Sequence, residues 1–265
     1  MDTIVSLQNS QVKKWASLHQ KKYRDEHGLF LVENEHLIEE ALKSNVVKEI
    51  IIKENEEDKY NFSKTTYVSE EVMKKICNST SVAKYVAICE KVQLDVNNPK
   101  RVVLLDNVQD PGNLGTIIRT CVAFGYDALY LSKDACDAYN DKCLQATQGA
   151  IFYLPIYRGE LKDFINNIKK DGFEVIGTSL RDSICLKELE EKEKMAFVFG
   201  SEGNGISDNV LDLCDKKVII EMNDFESLNV AVASGIVLYK FSKWGKWSLF
   251  HLQLLHFFLN SYYQL

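Results

Sequence analysis

Three separate segments of the chain contain polar and glycine residues whose types and spacing could support chemistry. The first, residues 106–120 with the sequence DNVQDPGNLGTIIRT, places Arg119 in an otherwise apolar stretch. A guanidinium in such surroundings usually has a specific anionic or polar partner, because an unpaired buried charge is costly. Asn113 stands where a helix cap is expected, and capping alone would explain it. The segment therefore predicts either an anion-binding arginine or an ordinary capped helix.

The second segment, residues 199–207 with the sequence FGSEGNGIS, is a glycine-rich loop that follows an apolar run. Its glycines allow the backbone to approach a ligand closely, or they simply allow a tight turn. The loop departs from the G-x-G-x-x-G pattern of dinucleotide sites, because Glu202 occupies the third position of that pattern. A carboxylate there would repel a pyrophosphate. The spacing therefore disfavours a nicotinamide- or flavin-dependent oxidoreductase.

The third segment, residues 219–230 with the sequence IIEMNDFESLNV, leads into a stretch that is apolar on nearly every side. That pattern predicts a buried helix. Ser227 is predicted to cap the N-terminus of this helix, which is a sufficient reason for its presence. Asn229 is then predicted to lie inside the helix, where its buried amide needs hydrogen bonds from a polar ligand or a neighbouring loop.

Histidine and cysteine usage narrows the chemistry. The five histidines lie at positions 19, 27, 36, 251 and 256, so residues 37–250 contain none. A Ser-His-Asp or Cys-His mechanism within that stretch is excluded. The cysteines are scattered, with no close pair and no neighbouring histidine, which favours buried reduced thiols over disulfides or a metal site. The seven are Cys77, Cys89, Cys121, Cys136, Cys143, Cys185 and Cys214.

The elements that must position these segments indicate an α/β protein. Four apolar runs lack polar alternation and are separated by helical lengths, which predicts strands buried on both faces of a mainly parallel sheet. These runs are residues 102–105, 128–131, 175–177 and 196–199. The first two segments each follow such a run, at the carboxyl end of a strand, where ligands bind in open α/β sheets.

The N-terminal half shows its own alternation of strands and helices, which predicts a small α/β sandwich. Its predicted helices are residues 8–19, 35–43 and 70–77, and its predicted strands are residues 29–33, 47–53, 66–68 and 85–90. A polar stretch with a proline, residues 91–100, separates the halves. We therefore predict a first domain at residues 1–95, a second at residues 96–246 and a hydrophobic tail at residues 247–265.

The net charge of −6 does not mark a nucleic-acid-binding protein, but cations concentrate near the N-terminus. Among the first 24 residues, five cationic side chains stand against one acidic residue. They could track RNA phosphates or form a solvated helix face, and the residues alone favour neither. The five are Lys13, Lys14, Lys21, Lys22 and Arg24. The chain opens without a signal-peptide pattern, and its tail is too short and polar to span a bilayer, so a cytoplasmic protein is expected.

Together, the three segments closely resemble the three motifs of the SpoU (TrmH-like) RNA 2'-O-ribose methyltransferases, within the SPOUT superfamily. The motif asparagine and arginine correspond to Asn113 and Arg119, and the motif glutamate corresponds to Glu202. Ser227 and Asn229 correspond to the serine–asparagine pair of the third motif. The N-terminal half resembles the auxiliary substrate-binding domain of the family, so the resemblance spans roughly residues 4–243.

The resemblance implies a ribosomal-protein-like RNA-binding domain followed by a trefoil-knotted α/β methyltransferase domain that forms homodimers. It also implies that S-adenosyl-L-methionine donates a methyl group to a ribose 2'-hydroxyl of RNA, with ribosomal RNA favoured over transfer RNA. Because the chain offers no histidine or cysteine cluster to hold a metal, we expect the cofactor to bind without one. A catalytically inactive RNA-binding member of the fold is the remaining alternative. Catalytic roles are implied for Asn113, Arg119, Glu202, Ser227 and Asn229, and cofactor contacts for Thr178, Gly200, Gly205, Ile220 and Leu228.

Overall fold

The structure, a computed structural model, describes residues 3–78, 82–223 and 227–242. The chain divides into two compact units, each with its own β-sheet. The first unit combines residues 1–95 with the segments 109–119 and 136–155, and the second contains residues 96–108, 120–135 and 156–265. The first unit thus draws on both halves of the sequence. The predicted division into domains after residue 95 remains a prediction.

Helices and strands alternate along both units. The described helices are α1 (Ser10–Ser17), α2 (Lys21–His27), α3 (Glu35–Lys43), α4 (Glu70–Ile76), α5 (Pro111–Ala123), α6 (Asp141–Thr147), α7 (Leu161–Lys170), α8 (Asp208–Leu211) and α9 (Val230–Lys240). The described strands are β1 (Leu29–Val32), β2 (Val47–Lys53), β3 (Thr65–Val68), β4 (Tyr85–Glu90), β5 (Arg101–Leu105), β6 (Ala128–Ser132), β7 (Ile156–Gly159), β8 (Glu174–Thr178), β9 (Ile184–Cys185), β10 (Met195–Phe199) and β11 (Lys216–Ile219).

The first unit is built on a four-stranded sheet with the order β1-β4-β2-β3. Strand β4 pairs antiparallel with β1 and β2, and β2 pairs parallel with β3. Helices α1 and α4 pack on one face, where Trp15 and Met73 meet Leu31 and Ile51 in a buried cluster. Because side chains alternate along a strand, Phe30 points to the other face. There its ring lies 4.7 Å from that of Tyr139, which belongs to segment 136–155.

The second unit is built on a seven-stranded sheet with the order β7-β6-β5-β10-β8-β11-β9. The six strand pairs are all parallel. Every residue of the two central strands, β5 and β10, is buried, which is why their sequences lack polar alternation. The mainly parallel sheet predicted from the apolar runs is therefore confirmed. The knot that the resemblance implies remains a prediction.

The start of α5 differs from the prediction. The helix begins at Pro111, and the carboxylate Oδ1 of Asp110 accepts a hydrogen bond from the backbone N–H of Asn113 at 2.8 Å. Asp110 therefore caps the helix, with proline at the first helical position, where it is favoured. The Lys142 ammonium, 2.9 Å from Asp110, lowers the pKa of that carboxyl. The prediction that Asn113 caps this helix was wrong, because Asn113 is its third residue.

The start of α9 also differs. The helix begins at Val230, and Oδ1 of Asn229 accepts from the N–H groups of Ala231 at 2.9 Å and Val232 at 3.3 Å. Asn229 is thus the N-cap, and the predictions that Ser227 caps this helix and that Asn229 lies inside it were both wrong. Asparagine and serine are both favoured at the N-cap, so residue type alone did not show which of the two caps α9.

The prediction that α9 is buried all round was wrong for the single chain. One face, which includes Ser234, Val237 and Leu238, is buried. The opposite face leaves Val232 and Tyr239 exposed by 53% and 69%. An apolar helix covered on one side only is typical of an interface.

Other boundaries agree closely with the sequence. The helix at residues 35–43 and the strands at 47–53 and 85–90 are confirmed at both ends. The predicted hydrophobic tail, residues 247–265, lies outside the described residues. Within the described part of the chain, every helix is too short or too polar to cross a membrane.

Candidate active site

A cavity of about 470 Å³ opens at the carboxyl edge of the seven-stranded sheet, entirely within the second unit. The residues that follow β8, β10 and β11, together with the start of α9, form its walls. All five residues predicted to contact a cofactor line it: Thr178, Gly200, Gly205, Ile220 and Leu228. A volume of this size lies in the usual range for small-molecule sites, about 300–1,000 Å³.

Residues 200–206, which we call the glycine loop, form the wall that follows β10. Its ends meet through two backbone hydrogen bonds, each 3.0 Å long, between Ser201 and Gly205. A Cβ atom added to Gly200 would lie 1.9 Å from the carbonyl carbon of Gly205, a separation that no packing tolerates. Gly205 has a φ of +68°, which favours glycine. Closure of the loop therefore requires glycine at position 200 and is favoured by glycine at position 205.

Two of the five predicted catalytic residues also reach this cavity. Glu202 and Ser227 line it, and both are exposed. Asn229, two residues after Ser227, caps α9. The described residues that line the cavity include neither Asn113 nor Arg119, which lie on α5 in the segment assigned to the first unit.

Arg119 projects from the exposed side of α5. Leu114, Ile117 and Ile118 are buried on the other side of this helix. Arg119 and Thr116 are exposed. The apolar neighbours in the sequence thus belong to the opposite face, and they do not require a buried partner for the guanidinium. What the structure offers instead is an arginine whose charge remains open to solvent and to an approaching anion.

Comparison with known proteins bears directly on this site. Residues 100–239, which contain the cavity and all three motifs, match the SpoU rRNA Methylase family, and residues 9–87 match the MRM3-like substrate binding domain.

The chain belongs to the SpoU rRNA methylase family.

The chain is 37% identical over 244 residues to the 23S rRNA (guanosine(2553)-2'-O)-methyltransferase RlmP of Bacillus subtilis, covering 90% of this chain and 98% of that protein. It matches the structure of an AdoMet-bound rRNA methyltransferase from Sinorhizobium meliloti with a TM-score of 0.80 and 28% identity, over 90% of this chain and 96% of that one. The methyltransferase AviRb from Streptomyces viridochromogenes shares the fold, with a TM-score of 0.78 and 24% identity over 88% and 97% of the two chains.

Several residues of this SpoU-family site were missed from the sequence. Leu180 and Arg181 follow β8 and line the cavity beside Thr178, and Met222 lines it after β11. Their position just beyond a strand of the parallel sheet was the available signal, because ligands bind at the carboxyl ends of parallel strands. Asp106 follows a predicted strand, but the sequence did not show that its carboxylate accepts hydrogen bonds from Ser207, which lies after a different strand, β10.

The predicted RNA-binding cations divide into two groups. Lys13, Lys14 and Lys22 are exposed, and Lys21 is exposed but lies 3.3 Å from Asp25. Arg24 is only 5% exposed, and its guanidinium lies 2.6 Å from the carboxylate of Asp137.

Arg24 also donates hydrogen bonds to the carbonyl groups of Leu18 and His19, at 2.8 and 2.7 Å. Its charge and its donors are thus engaged inside the first unit. The prediction that Arg24 contacts RNA is corrected for this reason, because a buried arginine already paired with a carboxylate cannot track phosphates. The helix α2 turns Arg24 inward while it leaves Lys21 and Lys22 outside.

The cysteines do not belong to this site. Burial raises the pKa of Cys77 and Cys214 to about 12, and it also raises the pKa of Cys89, Cys121 and Cys143. Thiols with such pKa values stay protonated near neutral pH and are poor nucleophiles. Among the described residues, the histidine, cysteine and carboxylate side chains form no cluster that could hold a metal ion.

Proposed function

We propose that this protein transfers a methyl group from S-adenosyl-L-methionine to a ribose 2'-hydroxyl of ribosomal RNA, in the cytoplasm. The observation that carries the proposal is the cavity at the carboxyl edge of the sheet, with the glycine loop on one side and α9 on the other. The Bacillus subtilis relative is named as a 23S rRNA 2'-O-methyltransferase, and the Sinorhizobium meliloti structure is described as AdoMet-bound. Both descriptions support the proposal.

The residues of the cavity suit this cofactor. The glycine loop offers backbone groups with no intervening side chain at Gly200 and Gly205, which permits close approach. Ile220 and Leu228 supply apolar surface for an adenosine group. When bound, S-adenosyl-L-methionine supplies an electrophilic methyl group on a sulfonium, so the protein needs no metal for the transfer.

The remaining task is to align the ribose hydroxyl and to relieve it of its proton. We assign Arg119 the central role, with Asn113, Glu202, Ser227 and Asn229 as the polar groups that position substrate and cofactor. A guanidinium is almost always charged near pH 7. Arg119 acts either as a base that takes the hydroxyl proton, with strong local help such as an RNA phosphate, or as a cation that holds that phosphate and stabilises the developing alkoxide. In the second case Glu202 positions Arg119, or water receives the proton.

The proposal is tested by incubating the purified protein with labelled S-adenosyl-L-methionine and RNA from source cells that lack the gene, in metal-free buffer. We expect label in ribosomal RNA, at a 2'-O-methyl that is lost from cells lacking the gene. Calorimetry should show cofactor binding in the presence of a chelator. Label confined to transfer RNA would replace the proposed substrate, and absence of both binding and transfer would refute the proposed activity.

We propose that the exposed lysines of the first unit contact RNA phosphates. Replacing Lys13, Lys14 and Lys22 together with alanine should lower RNA affinity and reduce the slope of log affinity against log salt by about 2–3, since each phosphate contact contributes about 0.7–0.9. The matched control replaces Lys43, Lys48 and Lys74, three lysines of the same unit that are paired with glutamates. Equal slopes for the two triple variants would contradict the proposed contacts between these lysines and RNA phosphates.

We also propose that the protein is a homodimer through α9. Leu228, Val232, Ile236 and Tyr239 are exposed apolar residues that follow one another at about one helical turn. A second copy of the chain, presenting the same surface, would cover them, as in the isologous interfaces of two-fold dimers.

Replacing Ile236 with glutamate is expected to halve the mass measured by light scattering at micromolar concentration, because it places a charge in the centre of the apolar stripe. Val5, which is 66% exposed in the first unit, provides the control: Val5→Glu should leave the mass unchanged. A parent protein that is already monomeric would contradict the proposed dimer.

A further inference from the structure

We propose that Asp106 is a positioning residue that holds both ends of the glycine loop in the form that lines the cofactor cavity. The inference rests on the proposed function, because the cavity matters only if it binds the cofactor. Asp106 is not among the described residues that line this cavity. Its effect on methyl transfer must therefore pass through the loop.

The hydrogen bonds of Asp106 connect the residues on either side of the loop. Strand β5 ends at Leu105, which pairs with Phe199, the last residue of β10. The backbone N–H of Asp106 continues this ladder by donating to the carbonyl of Phe199 at 2.8 Å. The carboxylate Oδ2 of Asp106 accepts from the backbone N–H of Ser207 at 2.8 Å and from its hydroxyl at 2.6 Å. One residue thus fixes the chain just before and just after the glycine loop.

The glycine loop is bordered by two cavities. The cofactor cavity lies on one side of it, and a second cavity of about 400 Å³ lies on the other. Ser201, Asn204 and Gly205 line both cavities, so the loop is a thin wall with open space on either side. Asp106 and Ser207 line the second cavity, and the hydrogen bonds between them lie where the glycine loop ends.

The charge of Asp106 strengthens its hydrogen bonds to Ser207, which we call the Asp106 clamp. Asp106 is 8% exposed, and hydrogen bonds to an ionised carboxylate are roughly twice as strong as bonds between neutral groups. Without it, both donors of Ser207 would lose their acceptor, and the loop would sample other conformations. Cofactor affinity falls in proportion to the fraction of molecules with the competent loop.

Three variants test the clamp with graded losses. Asp106→Ala removes both hydrogen bonds to Ser207, Asp106→Asn keeps an oxygen acceptor without the charge, and Ser207→Ala removes only the hydroxyl donor. We expect the affinity for S-adenosylhomocysteine, measured by calorimetry, to fall about 10–100-fold in Asp106→Ala, which corresponds to a competent fraction of about 1–10%. The other two variants should fall between this value and the parent.

The control is Asp127→Ala. Asp127 serves the opposite end of β5, where its Oδ2 accepts from the backbone N–H groups of Lys100 and Arg101 at 2.8 and 2.9 Å. Like Asp106, it accepts two hydrogen bonds through one carboxylate oxygen, but at the end of β5 that is remote from the glycine loop. Asp127→Ala should lower the urea midpoint but leave cofactor affinity within about threefold of the parent. In methyl transfer, Asp106→Ala should raise the KM for the cofactor more than it lowers kcat, because saturating cofactor selects the competent loop.

Amide hydrogen exchange of the protein without cofactor provides an independent result. Exchange at Ser201, Gly205 and Ser207 should accelerate in Asp106→Ala and stay at the parental rate in Asp127→Ala. If the parent neither binds the cofactor nor transfers methyl, the proposed function fails, and the exchange rates alone decide whether the clamp exists. Unchanged exchange in Asp106→Ala, or an equal loss of cofactor affinity in Asp127→Ala, would overturn the positioning role.

Discussion

Replacing Arg119 with alanine is expected to lower the rate of methyl transfer at least a thousandfold while leaving cofactor binding intact. A thousandfold loss corresponds to about 4 kcal/mol of the activation barrier, which is typical when a charge that stabilises a transition state is removed. Because Arg119 lies on the exposed side of α5, truncation there should cost little stability. The measurement is single-turnover transfer of labelled methyl to the native RNA.

Arg119→Lys should also be severely impaired, because an ammonium cannot reproduce the planar, bidentate donor geometry of a guanidinium. Thr116→Ala is the control, since Thr116 is exposed one turn earlier on the same helix. It should keep the parental rate. If Arg119→Ala retains a rate within tenfold of the parent, a difference of only ~1.4 kcal/mol, then Arg119 is not the centre of the reaction.

Replacing Gly200 with alanine is expected to reduce cofactor affinity more than a hundredfold. The added Cβ would lie 1.9 Å from the carbonyl carbon of Gly205 and 2.1 Å from the backbone nitrogen of Ile206, so the glycine loop must open. Backbone atoms cannot move aside as a flexible side chain can. Titration calorimetry with S-adenosylhomocysteine measures the loss directly.

Two other glycines of the same loop separate this clash from a general loss of flexibility. A Cβ on Gly203 would meet no atom within 4 Å, so Gly203→Ala should bind the cofactor like the parent. Gly205→Ala meets no atom either, but its φ of +68° adds strain of about 1–2 kcal/mol, which predicts an intermediate loss. Equal affinities for Gly200→Ala and Gly203→Ala would show that the closed loop is not required for binding.

Local patterns in the sequence were enough for the elements and for part of the site. Strands β5 and β10 could be predicted from uninterrupted apolar runs, because both faces of each strand are buried. The five residues with implied cofactor contacts, which the structure gathers around one cavity, were identified through the resemblance to the SpoU family. Their roles in binding remain a proposal.

What the sequence did not reveal depends on distant partners. Arg24 stands among four lysines in the chain, yet Asp137, 113 positions later, turns it into an interior residue. Asn229, and not Ser227, is the N-cap of α9, because the helix begins two residues later than the sequence predicted. Neither the pairing of Arg24 with a residue so distant in sequence nor the residue at which α9 begins can be predicted from a local pattern. The clamp at Asp106 belongs to the same class, since Ser207 is 101 positions away.

The discontinuous first unit limits how this protein can be recombined. The ring of Phe30 packs at a tilt against Tyr139 and stacks with Phe152, whose ring centre is 6.4 Å away. Arg24 is paired with Asp137, so residues 1–95 share one interior with segment 136–155. Expressing residues 96–265 alone would leave Phe152 uncovered and Asp137 without its arginine. A chimera that takes its N-terminal part from a relative must therefore also take segment 136–155. Substitutions on either side of this shared interior should accordingly have been accepted in compensating pairs during evolution.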